Sequence, residues 1–226
     1  MGINTDLGPI PTILSDYTTS LGEEVRSSLE RDLMGRGSPA FPNDLKEQLA
    51  PSSPSPSGDH YNTSLVNAVV LFVGATSVAH AKARTGSSLF SPSDPGPQLF
   101  LRLASGLDVE GSCQERSCCP LNSYPYHLEG QHHLMSSVVM HLRYPNAHTQ
   151  WFSSLVLFLF AEVKTDMFQE ITTKVLLERF VVHRPHPWGA ILTFIELLRN
   201  SKYDFWSHSF VHTAPEITAL LESVRN

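Results

Sequence analysis

The segment WFSSLVLFLFAEV, residues 151–163, is apolar on nearly every side when it is drawn as a helix. A surface helix has one apolar stripe, whereas a helix that is apolar all round must be covered by neighbours on most sides. We therefore predict that this segment is the central helix of the fold. The longest unbroken apolar run of the chain, 155–161, is far shorter than the roughly 20 residues of a membrane helix, so we expect no membrane partner.

Two further helices are predicted after the central segment. Glu170 and Lys174 stand four residues apart on the polar side of the first, where an ion pair supports a helix. The second follows a corner that is set by Pro185 and Pro187. The predicted buried stripes are Phe168, Ile171, Val175, Leu176 and Phe180 in the first helix, and Trp188, Ile191, Leu192 and Ile195 in the second.

Helices are also predicted before the central segment and at the C-terminal end. Ser20 with Glu23, and Thr213 with Glu216, have the spacing of a capping box, in which two side chains satisfy free amides of the first turn. Since no strand alternates with these helices, we predict an all-α fold, an antiparallel helical stack like a piece of a solenoid. The remaining helices are predicted at 38–49, at 61–83, from Asp94–Pro95 to about 107, and from 131 onward.

Composition divides the chain into two helical parts. With 226 residues and 41% hydrophobic side chains, the chain has enough apolar surface for a core, which excludes wholesale disorder. The stretch PSSPSPSG opens a Pro- and Ser-rich connector at 51–60 that has no core to bury. We therefore predict an N-terminal helical segment at 1–50 and a helical domain at 61–226.

Three cysteines, Cys113, Cys118 and Cys119, are the only ones in the chain. An odd, clustered set is a poor disulfide framework, so we expect a reducing, intracellular compartment. With the histidines at 127–133 they form the one plausible metal cluster, but C-x4-C-C is not the spacing of a zinc site. We expect no metal and no cofactor.

The sequence has no HExxH, GxSxG, P-loop or GxGxxG motif. Four histidines gather in its C-terminal third, so a histidine-dependent hydrolase is one alternative. Histidines that only pack or form hydrogen bonds are the commoner case. These four are His183, His186, His208 and His212.

A mildly basic corner is predicted around Lys174, Arg179, Arg184 and His186. It makes an RNA-binding helical module a second alternative, although the net charge of −6 disfavours it. Large aromatic residues beside turns, such as Trp188, are core anchors or hot spots for a partner peptide. From the residues alone we predict a binding domain rather than an enzyme.

Six segments of the chain carry distinctive motifs: YNTSLVNAVVLFVG (61–74), LRYPNAHT (142–149), LFAE (159–162), VLLERFVVHRPHPWG (175–189), TFIELLRN (193–200) and FWSHSFVHTAPEI (205–217). The motifs RPHPWG and FVHTAPEI are the most specific of them. In this order the segments resemble the C-terminal domain of Not-one, the large scaffold subunit of the CCR–Not deadenylase complex.

The resemblance implies an all-α, HEAT-like helical domain without an active site. Such a domain docks other Not subunits, namely the second Not subunit with the third or fifth, in the Not module. The complex acts in mRNA deadenylation, translational repression and transcription regulation, in the cytoplasm and the nucleus. The resemblance also allows an RNA contact within the assembled module. The partner-binding candidates in the matched motifs are Tyr144, Asn146, His148, Arg179, Arg184, His186 and Trp188.

The chain departs from the family pattern in two ways. The family scaffold is far longer, so we expect this chain to correspond to a C-terminal fragment or a separate gene product without the nuclease-recruiting regions. The segment 112–130, SCQERSCCPLNSYPYHLEG, is an atypical insert that contains all three cysteines and no helical stripe. We interpret it as a retained intron read in frame or a lineage-specific loop, since closure entropy grows only slowly with loop length.

Overall fold

The computed structural model describes residues 21–49, 61–84, 88–106, 124–183, 186–212 and 222, with the backbone alone of 124–128. In these ranges the chain forms eight α-helices, three short 3-10 turns and no strand, which confirms the all-α prediction. The 3-10 turns are Ser201–Tyr203, Phe205–Ser207 and Ser209–His212. The helices are α1 (Glu23–Leu33), α2 (Phe41–Leu49), α3 (Thr63–Ala83), α4 (Pro95–Gly106), α5 (Tyr124–Val139), α6 (Ala147–Glu162), α7 (Asp166–Val182) and α8 (Trp188–Arg199).

Helix α6 is the central helix, as the segment 151–163 predicts. It contacts α3, α4, α5, α7 and α8, and also the first 3-10 turn. Complete burial of one large apolar side chain stabilises a fold by about 1.5–3 kcal/mol, so this helix contributes much of the core. The buried apolar side chains of α6 are Trp151, Phe152, Leu155, Val156, Leu159 and Phe160.

Helix α3 is the buried helix that the sequence predicts at 61–83. Among the described residues it is the one helix long and apolar enough to cross a membrane, but 56% of its apolar window is buried inside the fold. Its Gly74 lies against the ring of Phe152 in α6, so the two helices approach each other closely. The Asn62 side chain caps its start by accepting a hydrogen bond from the Leu65 amide at 3.1 Å.

The N-terminal helices share the core of the rest of the chain. Helices α1 and α2 pack on α3 and α4, and Leu29 and Leu45 are fully buried there. A charged contact crosses the same junction, because Arg102 Nη2 in α4 donates to the nearly buried Asp32 Oδ2 in α1 at 3.0 Å. The domain boundaries at 50 and 61 remain predictions, since the connector lies outside the described residues.

Several local predictions are corrected by the structure. Helix α1 begins after Gly22, which has a φ of 68° and gives no side-chain cap, while Ser20 lies outside the described residues. The helix predicted at 38–49 begins only at Phe41. Lys174 forms its ion pair with Glu178 at 4.0 Å, in place of the predicted pair with Glu170. The predicted capping box of 213–216 also lies outside the described residues.

The start of α5 changes the interpretation of the segment 112–130. The helix begins at Tyr124, so residues 124–130 are helical and continue into the helix that the sequence predicts only from 131. The prediction of a segment without helix is therefore wrong for its C-terminal part. The three cysteines lie outside the described residues.

Helix α8 buries a different face from the predicted one. Trp188 and Leu192 are 48% and 44% exposed, and Ile191 and Ile195 are only partly buried. The prediction fails because α8 is apolar on more than one side, so spacing alone does not select the face that meets the core. The buried residues are Gly189, Ala190, Thr193, Phe194, Leu197 and Leu198.

Gly189 explains this choice of face. A Cβ atom at this position would overlap the Thr149 methyl carbon Cγ2 and would stand 3.0 Å from the Leu142 carbonyl oxygen. The missing side chain lets α8 approach the turn between α5 and α6. One helical turn on, Thr193 Oγ1 donates to the Gly189 carbonyl at 2.7 Å and shares a hydrogen bond with Ser153 of α6 at 2.6 Å.

We expect Gly189→Ala to lower the free energy of unfolding by about 1–3 kcal/mol, the usual cost of overpacking. The helix propensity of alanine offsets less than about 1 kcal/mol of this loss, because Gly189 lies in the first turn of α8 and the full difference applies to a helix interior. Thr149→Ser removes the obstructing methyl group but keeps the hydroxyl that donates to the His141 carbonyl. Urea unfolding of the two single variants and the double variant should show partial recovery in the double variant. A Gly189→Ala protein as stable as the wild type would contradict the close contact.

Candidate functional site

The turn between α5 and α6 lies against the first turn of α8. The Trp188 amide donates to the Arg143 carbonyl at 3.3 Å, and the Ala190 amide donates to the Leu142 carbonyl at 3.1 Å. The first amides of a helix have no partner within the helix, so this turn supplies partners for two of them. Two of the motifs quoted above, LRYPNAHT and the end of RPHPWG, therefore meet in space.

Two of the predicted partner-binding residues shape this turn from inside. Asn146 Oδ1 accepts a hydrogen bond from the Thr149 amide at 2.8 Å and so caps the start of α6. His148 Nε2 and His141 Nδ1 share a hydrogen bond of 3.2 Å. Both imidazole rings lie on Phe152, with ring centroids 4.8 Å away for His148 and 4.5 Å away for His141. Asn146 and His148 thus hold the turn in place.

Burial keeps this histidine pair in its neutral form. It is the main reason that the pKa of His141 falls to about 3, and a proton on His148 and the positive charge of Arg179 each act in the same direction. The pKa of His148 is also lowered, first by burial and then by Lys82. Because protonation of such a group favours the unfolded chain, its low pKa makes the free energy of unfolding decrease at acid pH.

A small groove opens beside the turn, with a cavity of about 90 Å³. Arg179 Nη1 donates to His183 Nε2 at 3.0 Å within it. The Arg143 guanidinium lies over the ring of Tyr144, with its carbon 5.4 Å from the ring centroid. Burial lowers the pKa of Arg179, and the charge of Arg143 lowers it further. The groove is lined by Val139, Met140, Arg143, Arg179, His183 and Pro187.

Most of the large exposed apolar side chains lie on the segments that line this groove. Eight such side chains are exposed among the described residues, and six of them belong to the end of α5 with its turn, the end of α7, or the first half of α8. A concentration of exposed apolar surface is typical of an interaction site. The six are Met140, Tyr144, Val181, Val182, Trp188 and Leu192. We call them the exposed apolar set.

The predicted site residues therefore have different surroundings. Tyr144 and Trp188 are exposed, and Arg179 lines the groove. His186 is exposed, and its Nδ1 donates to the Phe180 carbonyl at 3.0 Å, which closes the corner after α7. Arg184 lies outside the described residues. The binding role of all seven candidates remains a prediction.

The four C-terminal histidines do not meet at one place. His183 contacts Arg179, and His212 Nε2 donates to the Trp206 carbonyl at 2.9 Å. His208 Nδ1 faces Asp166 Oδ1 at 3.2 Å at the far end of α7. Among the described residues, these histidines do not converge with a carboxylate in a pocket, as the hydrolase alternative requires. Across all the described residues, no group of three or more His, Cys, Asp or Glu side chains could hold a metal ion.

Sequence reasoning missed Arg143, Met140 and the outward direction of Leu192. Arg143 lies inside the quoted motif LRYPNAHT, but its charge alone gave no reason to place it in a groove. For Leu192 a signal was present: Gly189 and Thr193 form a strip of small residues at helical spacing, which indicates a close packing face. With Ala190 and Leu197 this strip forms the buried face of α8, and Leu192 lies on the opposite side of the helix from the centre of that face.

Comparisons with known proteins agree on one family. The sequence profile described as "CCR4-Not complex component, Not1" matches residues 4–114 and 123–225. The chain is 36% identical over 213 residues to the CCR4-NOT transcription complex subunit let-711 of Caenorhabditis elegans, which covers 93% of this chain and 7% of that protein. The chain thus spans a small part of that relative. The profile leaves 115–122 unmatched, which is a shorter stretch than the predicted insert at 112–130.

Two solved structures have a similar fold. The NOT1 superfamily homology domain from Chaetomium thermophilum has a TM-score of 0.73 and 26% identity, over 94% of this chain and 38% of that chain. A Not1 C-terminal domain solved in complex with Not4 has a TM-score of 0.69 and 22% identity, over 92% of this chain and 39% of that one. These similarities support the helical-stack prediction.

The buried histidine pair should make the fold sensitive to acid. Between pH 6.5 and about 3 the unfolded chain binds a proton at His141 that the folded chain does not bind. The contribution of this group to the free energy of unfolding is therefore complete above pH 6.5 and decreases as the pH falls below that value. This one group should lower the free energy of unfolding by about 2 kcal/mol at pH 5. Urea unfolding measures the free energy of unfolding at pH 7 and at pH 5. Its decrease between the two pH values should be smaller for His141→Gln than for the wild type. His80→Gln, at an exposed histidine of α3, is the matched control. Equal losses in wild type and His141→Gln would contradict the buried neutral state.

Proposed function

Because this chain belongs to the family of the CCR4-Not complex component Not1, we propose that it is a non-catalytic scaffold domain that docks other Not subunits. The observation that carries the proposal is the exposed apolar set around the α5–α6 turn. Removal of apolar surface from water favours association by about 25 cal/mol per Å² before the entropic costs of binding are subtracted. Aromatic side chains such as Trp188 and Tyr144 are frequent hot spots of protein interfaces.

A related structure supports the same role. A Not1 C-terminal domain of this fold has been solved in complex with Not4, so that protein binds another Not subunit. For the present chain we propose the second Not subunit, together with the third or fifth, as partners. We further propose that it acts in mRNA deadenylation, translational repression and transcription regulation, in the cytoplasm and the nucleus.

An RNA contact is a second candidate. The neighbouring guanidinium groups of Arg143 and Arg179 favour it, since phosphate groups bind arginine pairs well. The net charge of −6 and the apolar surroundings of the groove favour a protein partner instead. We therefore propose an RNA contact only within the assembled module, beside a partner subunit.

We expect Trp188→Ala and Leu192→Ala to weaken the association of the chain with the heterodimer of the second and third Not subunits. Truncation of one hot-spot residue costs about 2 kcal/mol or more, which corresponds to roughly 30-fold in Kd. The melting temperature should change little, because both side chains are about half exposed. Isothermal titration calorimetry measures the first effect and thermal unfolding the second.

Met34→Ala is the matched control for this experiment. Met34 follows α1 and is 61% exposed, and α1 packs on α2, α3 and α4, away from the groove-lining helices. Its truncation should leave the Kd unchanged. Equal binding by the wild type and both α8 variants would argue against a docking role for this surface.

A further inference from the structure

The groove beside the α5–α6 turn concentrates positive charge that has no counter-charge among the described residues. Arg179 lines it from α7 and Arg143 from the turn, and the charge of Arg143 lowers the pKa of Arg179. Two like charges therefore face one small groove. Their contacts in the described part of the chain are the His183 ring for Arg179 and the Tyr144 ring for Arg143.

Three other arginines in the described part of the chain, Arg26, Arg84 and Arg102, do have carboxylate partners. Arg102 donates to Asp32 at 3.0 Å, and Arg26 donates to Glu30 at 3.1 Å. The nearest acidic residue along α7, Glu178, contacts His132 Nε2 at 3.3 Å and Lys174 Nζ at 4.0 Å. No ion pair between a carboxylate and either groove arginine exists among the described residues.

A partly buried guanidinium without a counter-charge is costly, because burial removes water from the charge. A carboxylate offsets this cost well, since it accepts two parallel hydrogen bonds from the planar guanidinium. The cavity of about 90 Å³ is far below the roughly 300–1,000 Å³ of small-molecule sites. Its size fits one inserted side chain better than a free ligand.

The apolar residues around the groove indicate which groups should lie next to that carboxylate in a ligand. Val139 and Pro187 are buried in its wall, whereas Met140 is 53% exposed at its edge. Trp188 follows Pro187 directly and continues the apolar surface along α8 towards Leu192. A ligand that satisfies both the charge and the apolar edge carries an acidic group next to apolar groups.

We propose that this groove binds the carboxylate of an acidic residue in an extended segment of a partner protein, whose neighbouring apolar side chains cover Trp188 and Leu192. The inference rests on the docking function proposed above and deepens it, because it specifies the chemistry of the docked segment. A phosphate of RNA would also suit two arginines, but it would leave the apolar edge uncovered.

The first test compares removal of a positive charge in the groove with removal of one elsewhere on the surface. We expect Arg143→Gln and Arg179→Met to weaken binding of the heterodimer of the second and third Not subunits by about 30-fold each, the usual loss when one member of an interfacial charge pair is truncated. Arg36→Gln removes an exposed positive charge just after α1, away from the groove and from the outward face of α8, and should bind as the wild type does. Thermal unfolding reports whether each variant is folded, and the exposed Arg143 keeps the test valid if Arg179→Met unfolds.

A cross-linking experiment identifies the carboxylate directly. Arg179→Lys and Arg143→Lys place a primary amine in the groove, and a carbodiimide joins such an amine to a carboxylate in contact with it through an amide bond. In the assembled complex, mass spectrometry should find the introduced lysine linked to one Asp or Glu of a partner subunit. No such link from either lysine, in a complex that forms normally, would overturn the inference.

The remaining outcomes separate this inference from the docking function. If the heterodimer binds and Trp188→Ala weakens it, but both arginine variants bind as the wild type does, the docking function stands and the carboxylate site is wrong. If the wild type does not bind the heterodimer, both proposals fail. If the arginine variants lose binding of a 25-nucleotide poly(A) RNA but keep the heterodimer, the groove is an RNA site and the inference is overturned.

Discussion

The close approach of α8 to the turn between α5 and α6 is the contact on which the surface of this protein depends. It is made by two backbone hydrogen bonds, from the amides of Trp188 and Ala190 to carbonyls of the turn. It is possible because Gly189 has no side chain to separate the two segments. These bonds satisfy amides that a helix leaves free at its start, and they fix both the position and the rotation of α8.

The rotation of α8 has a direct consequence for binding. Once Ala190, Thr193 and Leu197 face the core, Trp188 and Leu192 must face outwards, because they lie on the opposite side of the helix from the centre of that buried face. The same contact brings Pro187 beside Arg179 and thereby closes the groove. Stability of the fold and exposure of the apolar set are therefore two results of one packing arrangement.

The interior of the turn is organised to hold it in one shape. Asn146 caps α6, and the neutral pair of His141 and His148 fills the space above Phe152. Asn146 and His148 lie in the same motif as exposed Tyr144, so one short segment contains both the support and part of the surface. A family motif contains all of these residues without distinguishing their roles. The contacts in the structure show that Asn146 and His148 position the turn, whereas Tyr144 is exposed and can contact a partner.

Much of the architecture is determined by the sequence alone, because local signals carry it. The spacing of apolar residues and the residues that start helices predict the helices, and the apolar run at 151–163 predicts which one is central. The tertiary structure alone decided which face of α8 is buried and that Arg143 and Arg179 share a groove. Those outcomes depend on distances between segments far apart in the chain, and on a helix that is apolar on several sides, so no local pattern specifies them.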